Sequence, residues 1–148
     1  MTSNRLEITI LRNLVHNENY MRKVLPFVKT EYFTDESERT VYKVINDFVV
    51  KYNKPPTTEA LGITLQNSNL PEGTFKETSD LVTELEVFEQ PNQDWLLDET
   101  EKFCKDKAVY NAILQSIGIM EGRDKNFSKD GIPSLLQEAL GVCFDSSV

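Results

Sequence analysis

Apolar side chains recur along this chain at intervals of three and four residues, a pattern that predicts helices almost throughout. Leu6, Ile10, Leu11, Leu14 and Val15 mark a first helix, with Thr2, Ser3 and Asn4 as candidate N-caps. Ile8 and Ile10 also alternate with Glu7 and Thr9, so a short strand is the weaker alternative there. Asn17 caps a short second helix carrying Tyr20, Met21, Val24 and Leu25, and Pro26 ends it. Phe27, Val28, Tyr32 and Phe33 read as buried loop anchors. Thr34 is the expected N-cap of the third helix, with Asp35, Glu36 and Glu38 at the positive end of its dipole. In that helix Val41, Val44, Ile45, Phe48, Val49 and Tyr52 fall on one face.

Asn53-Lys54-Pro55-Pro56 is a stop and a turn. Thr57 caps a short helix with Ala60, Leu61 and Leu65, which Asn67-Ser68-Asn69 breaks. Thr74 and Glu77 have capping-box spacing, and Phe75, Thr78, Leu81, Val82 and Leu85 continue at helical intervals. Gln90-Pro91-Asn92 then separates a helical head, residues 1–90, from a second part, residues 91–148. From Gln93 to Glu121 there is no Pro and one Gly, Gly118. As one helix this stretch is roughly 43 Å long at about 1.5 Å per residue, and it projects from a small bundle. Gly122 to Gly131 is polar and forms the tip of an antiparallel hairpin. Pro133 suits the first turn of a last helix, whose apolar face is Ile132, Leu135, Leu136, Ala139, Leu140 and Cys143. The expected fold is all-α: a globular helical bundle head followed by a long antiparallel helical hairpin. In the hairpin Cys104 and Cys143 sit roughly 8 Å out of level on the helical rise, which argues against a disulfide.

Leu96, Phe103, Tyr110 and Ile117 recur every seven residues, with Ile113 and Met120 beside them. Such a stripe is usually core packing, but these are many large side chains for one short partner helix. Exposed apolar patches of this kind mark interfaces. Phe103, Tyr110, Ile113, Ile117, Met120, Leu135 and Leu136 are therefore the expected self-association surface, the tip-side residues being the part shared between two copies.

Composition narrows the chemistry. The 148 residues include 16 Lys and Arg, 24 Asp and Glu and one His, a net charge of −8. The excess lies in the middle: residues 55–101 hold one basic and eleven acidic side chains, whereas residues 1–54 hold nine and seven. That block reads as a solvated acidic face, or more sharply as a docking surface for a basic partner. An acidic chain is a poor generic ligand for phosphates, so single-stranded DNA binding is expected to be weak. No apolar run approaches a membrane span, and the polar start from Met1 to Glu7 is no secretory signal. Two Cys suit a reducing cytosol, and a cytoplasmic location is the expectation.

Catalytic motifs are missing. A nucleophilic triad would have to use His16, which is accounted for as a cation at a helix C-terminus. Cys104 and Cys143 stand far apart with no second His, so no metal site is expected. Neither GxGxxG nor GxxxxGK[ST] occurs, so no nucleotide cofactor is expected. Asp98 with Glu99 and Glu101 reads as a solvated helix face rather than an acid/base pair. The chain alone is not expected to be an enzyme.

The order and spacing of short segments carry a resemblance. They are Glu31-Tyr32-Phe33, then Tyr52 with Pro56, Ala60 and Leu61, then Leu65-Gln66-Asn67-Ser68. Trp95-Leu96, Glu99-Thr100-Glu101-Lys102, Asn111-Ala112 and Ile132-Pro133 follow, with Gln137, Ala139-Leu140 and Phe144-Asp145-Ser146. With a helical head and a long hairpin, the chain resembles the N-terminal domain of DnaB-class hexameric replicative helicases, most closely those of T-even-type bacteriophages. The resemblance implies a collar whose hairpins pair and which assembles as a trimer of dimers. It also implies primase and helicase-loading proteins as partners, and a host cytoplasm as the setting. The family's RecA-like motor would lie beyond Val148, where the sequence stops, so no catalytic residue carries over. The alternative is a free-standing acidic helical adaptor that binds a basic protein.

Overall fold

The computed structural model describes residues 5–144. The N-cap candidates Thr2, Ser3 and Asn4, and Asp145-Ser146 of the resemblance, lie outside the described residues. The described residues form α1 (Leu6–His16), α2 (Glu18–Val24), α3 (Glu36–Tyr52), α4 (Thr58–Gln66), α5 (Glu72–Glu86), α6 (Gln93–Met120) and α7 (Ile132–Leu140), with no strand among them. Short 3-10 turns occupy Leu25–Phe27, Thr30–Tyr32 and Lys129–Gly131. Two compact units, Met1–Leu96 and Leu97–Val148, divide inside α6.

In the first unit α3 packs against α1, α4 and α5, and α1 also packs against α2 and α5. Ile10, Leu11 and Leu14 of α1 are buried with Met21, Val24, Val41, Ile45, Leu61, Leu65 and Leu85. Each such side chain contributes about 1.5–3 kcal/mol when removed from water. Ile8 and Ile10 are both buried in α1, so the strand alternative falls away. Val28, Tyr32 and Phe33 are buried in the α2–α3 connection. The Tyr42 hydroxyl anchors that connection by donating to the Val28 carbonyl at 2.6 Å.

Two caps form as the sequence predicts. The Asn17 side chain accepts from the Tyr20 N–H, and the Thr57 hydroxyl accepts from the Ala60 N–H. Two others differ. Asp35, not Thr34, stands at the N-cap position of α3, and its carboxylate turns to Arg5 instead of capping. α5 begins at Glu72, before the Thr74 capping box. Pro71 holds an extended conformation, and its carbonyl accepts the first helical bond from Phe75 N–H. Thr74 is thereby already helical.

The second unit is built on α6 after Leu96. The helix ends in a Schellman motif: Arg123 N–H donates to Gly118 O and Gly122 N–H to Ile119 O. Gly122 has φ +76°, the left-handed conformation this motif requires. The chain then reverses, α7 starts with Pro133 in its first turn, and Phe144 N–H donates to the Glu101 carboxylate at 3.0 Å. That bond returns the chain to the third turn of α6. On α7, Ala139 is buried and Ile132, Leu135 and Leu136 are half-buried. Leu140 is 61% exposed and Cys143 lies beyond the helix, so the expected α7 face is shorter than its sequence pattern. Cys104 is buried, Cys143 is exposed and neither is in a disulfide.

Candidate interaction surfaces

His16 closes α1. Its Nε2 lies 2.7 Å from the Leu85 carbonyl oxygen, which can only accept, so Nε2 carries the proton. The ring stacks on Phe88 with centroids 4.8 Å apart. His16 thus ties the end of α1 to the end of α5. Among the described residues no group of three His, Cys, Asp or Glu could hold a metal ion. Nor is any of their helices long and apolar enough to cross a membrane.

One charged cluster is unannounced by any motif. Arg5 meets Asp35 at 2.6 Å, Glu7 at 3.1 Å and Glu38 at 3.0 Å. Glu38 is buried, and burial pushes its carboxyl above the usual carboxylate range while Arg5 pulls it back. The guanidinium in turn is held protonated more firmly than usual, chiefly by its bond to Asp35. Arg5 and Glu38 are 33 positions apart, and no periodicity reports such a pair. Their contact locks the start of α1 to the start of α3.

Two surfaces remain that suit partners. The first is on α6. Tyr110 is 60% exposed, Ile113 46%, Ile117 43% and Met120 58%. Leu114, absent from the sequence-derived set, is exposed beside them. Ala112 and Ile119 are buried. Each lies two residues on from Tyr110 or Ile117, about 200° round the helix axis. The second half of α6 is therefore apolar on two opposite faces, one covered within the chain and one open. Of the other expected self-association residues, Phe103 is buried, with Lys107 Nζ 5.7 Å from its ring centroid, and Leu135 and Leu136 are half-buried.

The second surface is a groove of about 600 Å³ in the first unit, between α3 and the α4 end. Val44, Phe48 and Leu70 line it, half-buried, and Tyr52, Lys43 and Lys51 stand exposed at its edge. Phe48 and Tyr52 are in ring contact at 4.7 Å, and Lys51 Nζ is 5.3 Å from the Tyr52 ring centroid. The sequence placed Phe48 and Tyr52 on the core face, but α4 is only nine residues long and covers that face incompletely. The expected acidic face is real: Glu72, Glu77, Asp80 and Glu86 of α5 are all exposed.

No family model matches the chain. Over 147 residues, 94% of its length, it is 31% identical to the DnaB-like replicative helicase of Enterobacteria phage T4. The chain spans 31% of that protein's length. The chain is thus similar to a DnaB-like phage replicative helicase, and its described residues are all-α, as the sequence resemblance implies.

Proposed function

We propose, from this chain's relationship to a DnaB-like phage replicative helicase, that it serves as the N-terminal collar of such an enzyme in DNA replication. The head, residues 1–90, would present partner-binding surfaces to primase and loader. The hairpin, residues 91–148, would pair with a second copy. ATP-driven unwinding belongs, on this reading, to a motor outside this chain, and the chain itself is a non-enzymatic assembly module.

The observation that carries the reading is the open apolar stripe of Tyr110, Ile113, Ile117 and Met120. A symmetric pair covers eight such half-exposed side chains, four from each copy, worth roughly 6–12 kcal/mol gross, of the same order as the cost of association. The isolated chain is therefore a concentration-dependent dimer rather than a permanent one. Replacing Ile117 and Met120 together with Asp gives a monomer with an unchanged circular dichroism spectrum. Analytical ultracentrifugation decides it: a wild-type chain that stays monomeric at millimolar concentration, or a double variant that unfolds, removes the proposal. The exposed carboxylates of α5 favour a second reading, an acidic adaptor for a basic protein. A GxxxxGK[ST] motif downstream of Val148 in the gene separates the two.

A further inference from the structure

The geometry points to the α3–α4 groove as a docking site for an acidic amphipathic helix of a partner protein. The groove lies wholly in the head, and the inference stands whether or not the hairpin self-associates. Its volume, about 600 Å³, suits two or three apolar side chains, the number one face of a short helix presents. Val44 and Phe48, four residues apart on α3, supply one apolar wall and Leu70 the other.

Charge selects the occupant. Lys43 and Lys51 flank the groove eight residues apart on α3, with Asp47 between them. Asp47 stands four residues from each lysine, the spacing at which helical ion pairs form. Yet among the described residues neither lysine is paired with a carboxylate. Arg22 and Lys54, by contrast, are both held by Glu18. The groove therefore keeps two lysines without a carboxylate partner, Lys51 beside the Tyr52 ring, against the single carboxylate of Asp47, next to an apolar floor and in the part of the sequence whose net charge is positive. A helix with apolar residues three and four apart and carboxylates on its flanks matches both features. A nucleic-acid strand matches only the aromatic and cationic elements. Its closely spaced phosphates would also meet the −8 charge of the whole chain. A short helix carrying a few carboxylates avoids most of that repulsion.

The test is a helical-peptide display selection against the full wild-type chain, followed by fluorescence anisotropy on the enriched peptides. Enriched sequences should carry Asp or Glu flanking apolar residues at helical spacing. Their affinity should fall at least tenfold in the Lys43→Glu, Lys51→Glu double variant. Both lysines are exposed, so this variant keeps its circular dichroism spectrum at the assay temperature, while the like charges at 43, 47 and 51 lower its melting midpoint by a few degrees. Tyr52→Ser, which removes an exposed ring, should weaken the same peptides independently. No enrichment, enrichment of neutral or basic peptides, or equal binding to the charge-reversed variant overturns the inference. So does displacement of the peptides by an oligo-dT strand at 0.15 M salt, which would assign the groove to nucleic acid.

Discussion

Glu38 shows how one residue sets a pH response. Its carboxyl is buried, and burial raises its folded-state pKa above the unfolded value near 4.5 despite Arg5. A raised folded pKa contributes stability that is fully present below the unfolded value and lost as pH rises through the folded one. Glu38→Gln removes that titration, although it also replaces one charged bond to Arg5 with a neutral one. The stability difference between wild type and Glu38→Gln should therefore move toward the wild type as pH falls from 7 to 4.5. Urea midpoints of both proteins across that range measure it, and a pH-independent difference would contradict the burial argument. Glu7 and Asp35 contact the same guanidinium in both proteins, so the comparison cancels much of their contribution.

At the scale of elements, one substitution should have opposite signs four residues apart. Gly118 is helical, and a Cβ there meets no atom within 4 Å. Gly118→Ala should raise stability by about 0.5–1 kcal/mol through helix propensity. Gly122, at φ +76°, should lose about 1 kcal/mol on the same change, because the left-handed conformation opposes a side chain. Chemical denaturation of the two variants reads both signs.

The helices themselves were legible because 3.6-residue periodicity is local. Asn17 and Thr57 could be read as caps for the same reason. Asp35 could not, since its carboxylate goes to Arg5, thirty residues away. The seven-residue recurrence of Leu96, Phe103, Tyr110 and Ile117 suggested a single seam. A straight helix drifts only about 20° per heptad, so the four stay on one side of α6, and the difference between its ends lies in what surrounds them. Leu96 and Phe103 end buried while Tyr110 and Ile117 end exposed. The self-association residues at the tip were thus chosen from a pattern whose two ends meet different surroundings. The groove was invisible because it depends on where α4 stops relative to the face of α3, which neither helix records alone.

For the whole molecule, charge is the property that most restricts partners. The −8 net charge is concentrated on exposed carboxylates such as those of α5, while Arg5, Arg22 and Lys54 are engaged in ion pairs. The other Lys and Arg are outnumbered by carboxylates, so a phosphate backbone meets a net repulsive field. The isolated chain should bind an oligo-dT strand with a Kd of about 10 µM or weaker at physiological salt. Affinity should fall further as salt rises, and an anisotropy titration showing sub-micromolar affinity would contradict the charge argument.

The two-faced second half of α6 has a consequence for how freely this sequence can drift. A helix with one buried face leaves more than half its circumference open to neutral change. Here Ala112 and Ile119 occupy one side, and Tyr110, Ile113, Ile117 and Met120 the other. Only two narrow strips lie between, one marked by Asn111 and Gly118 and the other by Ser116, all small or polar. Across diverging descendants of this chain, substitutions in this stretch should collect in those strips. Both apolar sides would hold their character, one constrained by the chain's own fold and the other by whatever comes to cover it.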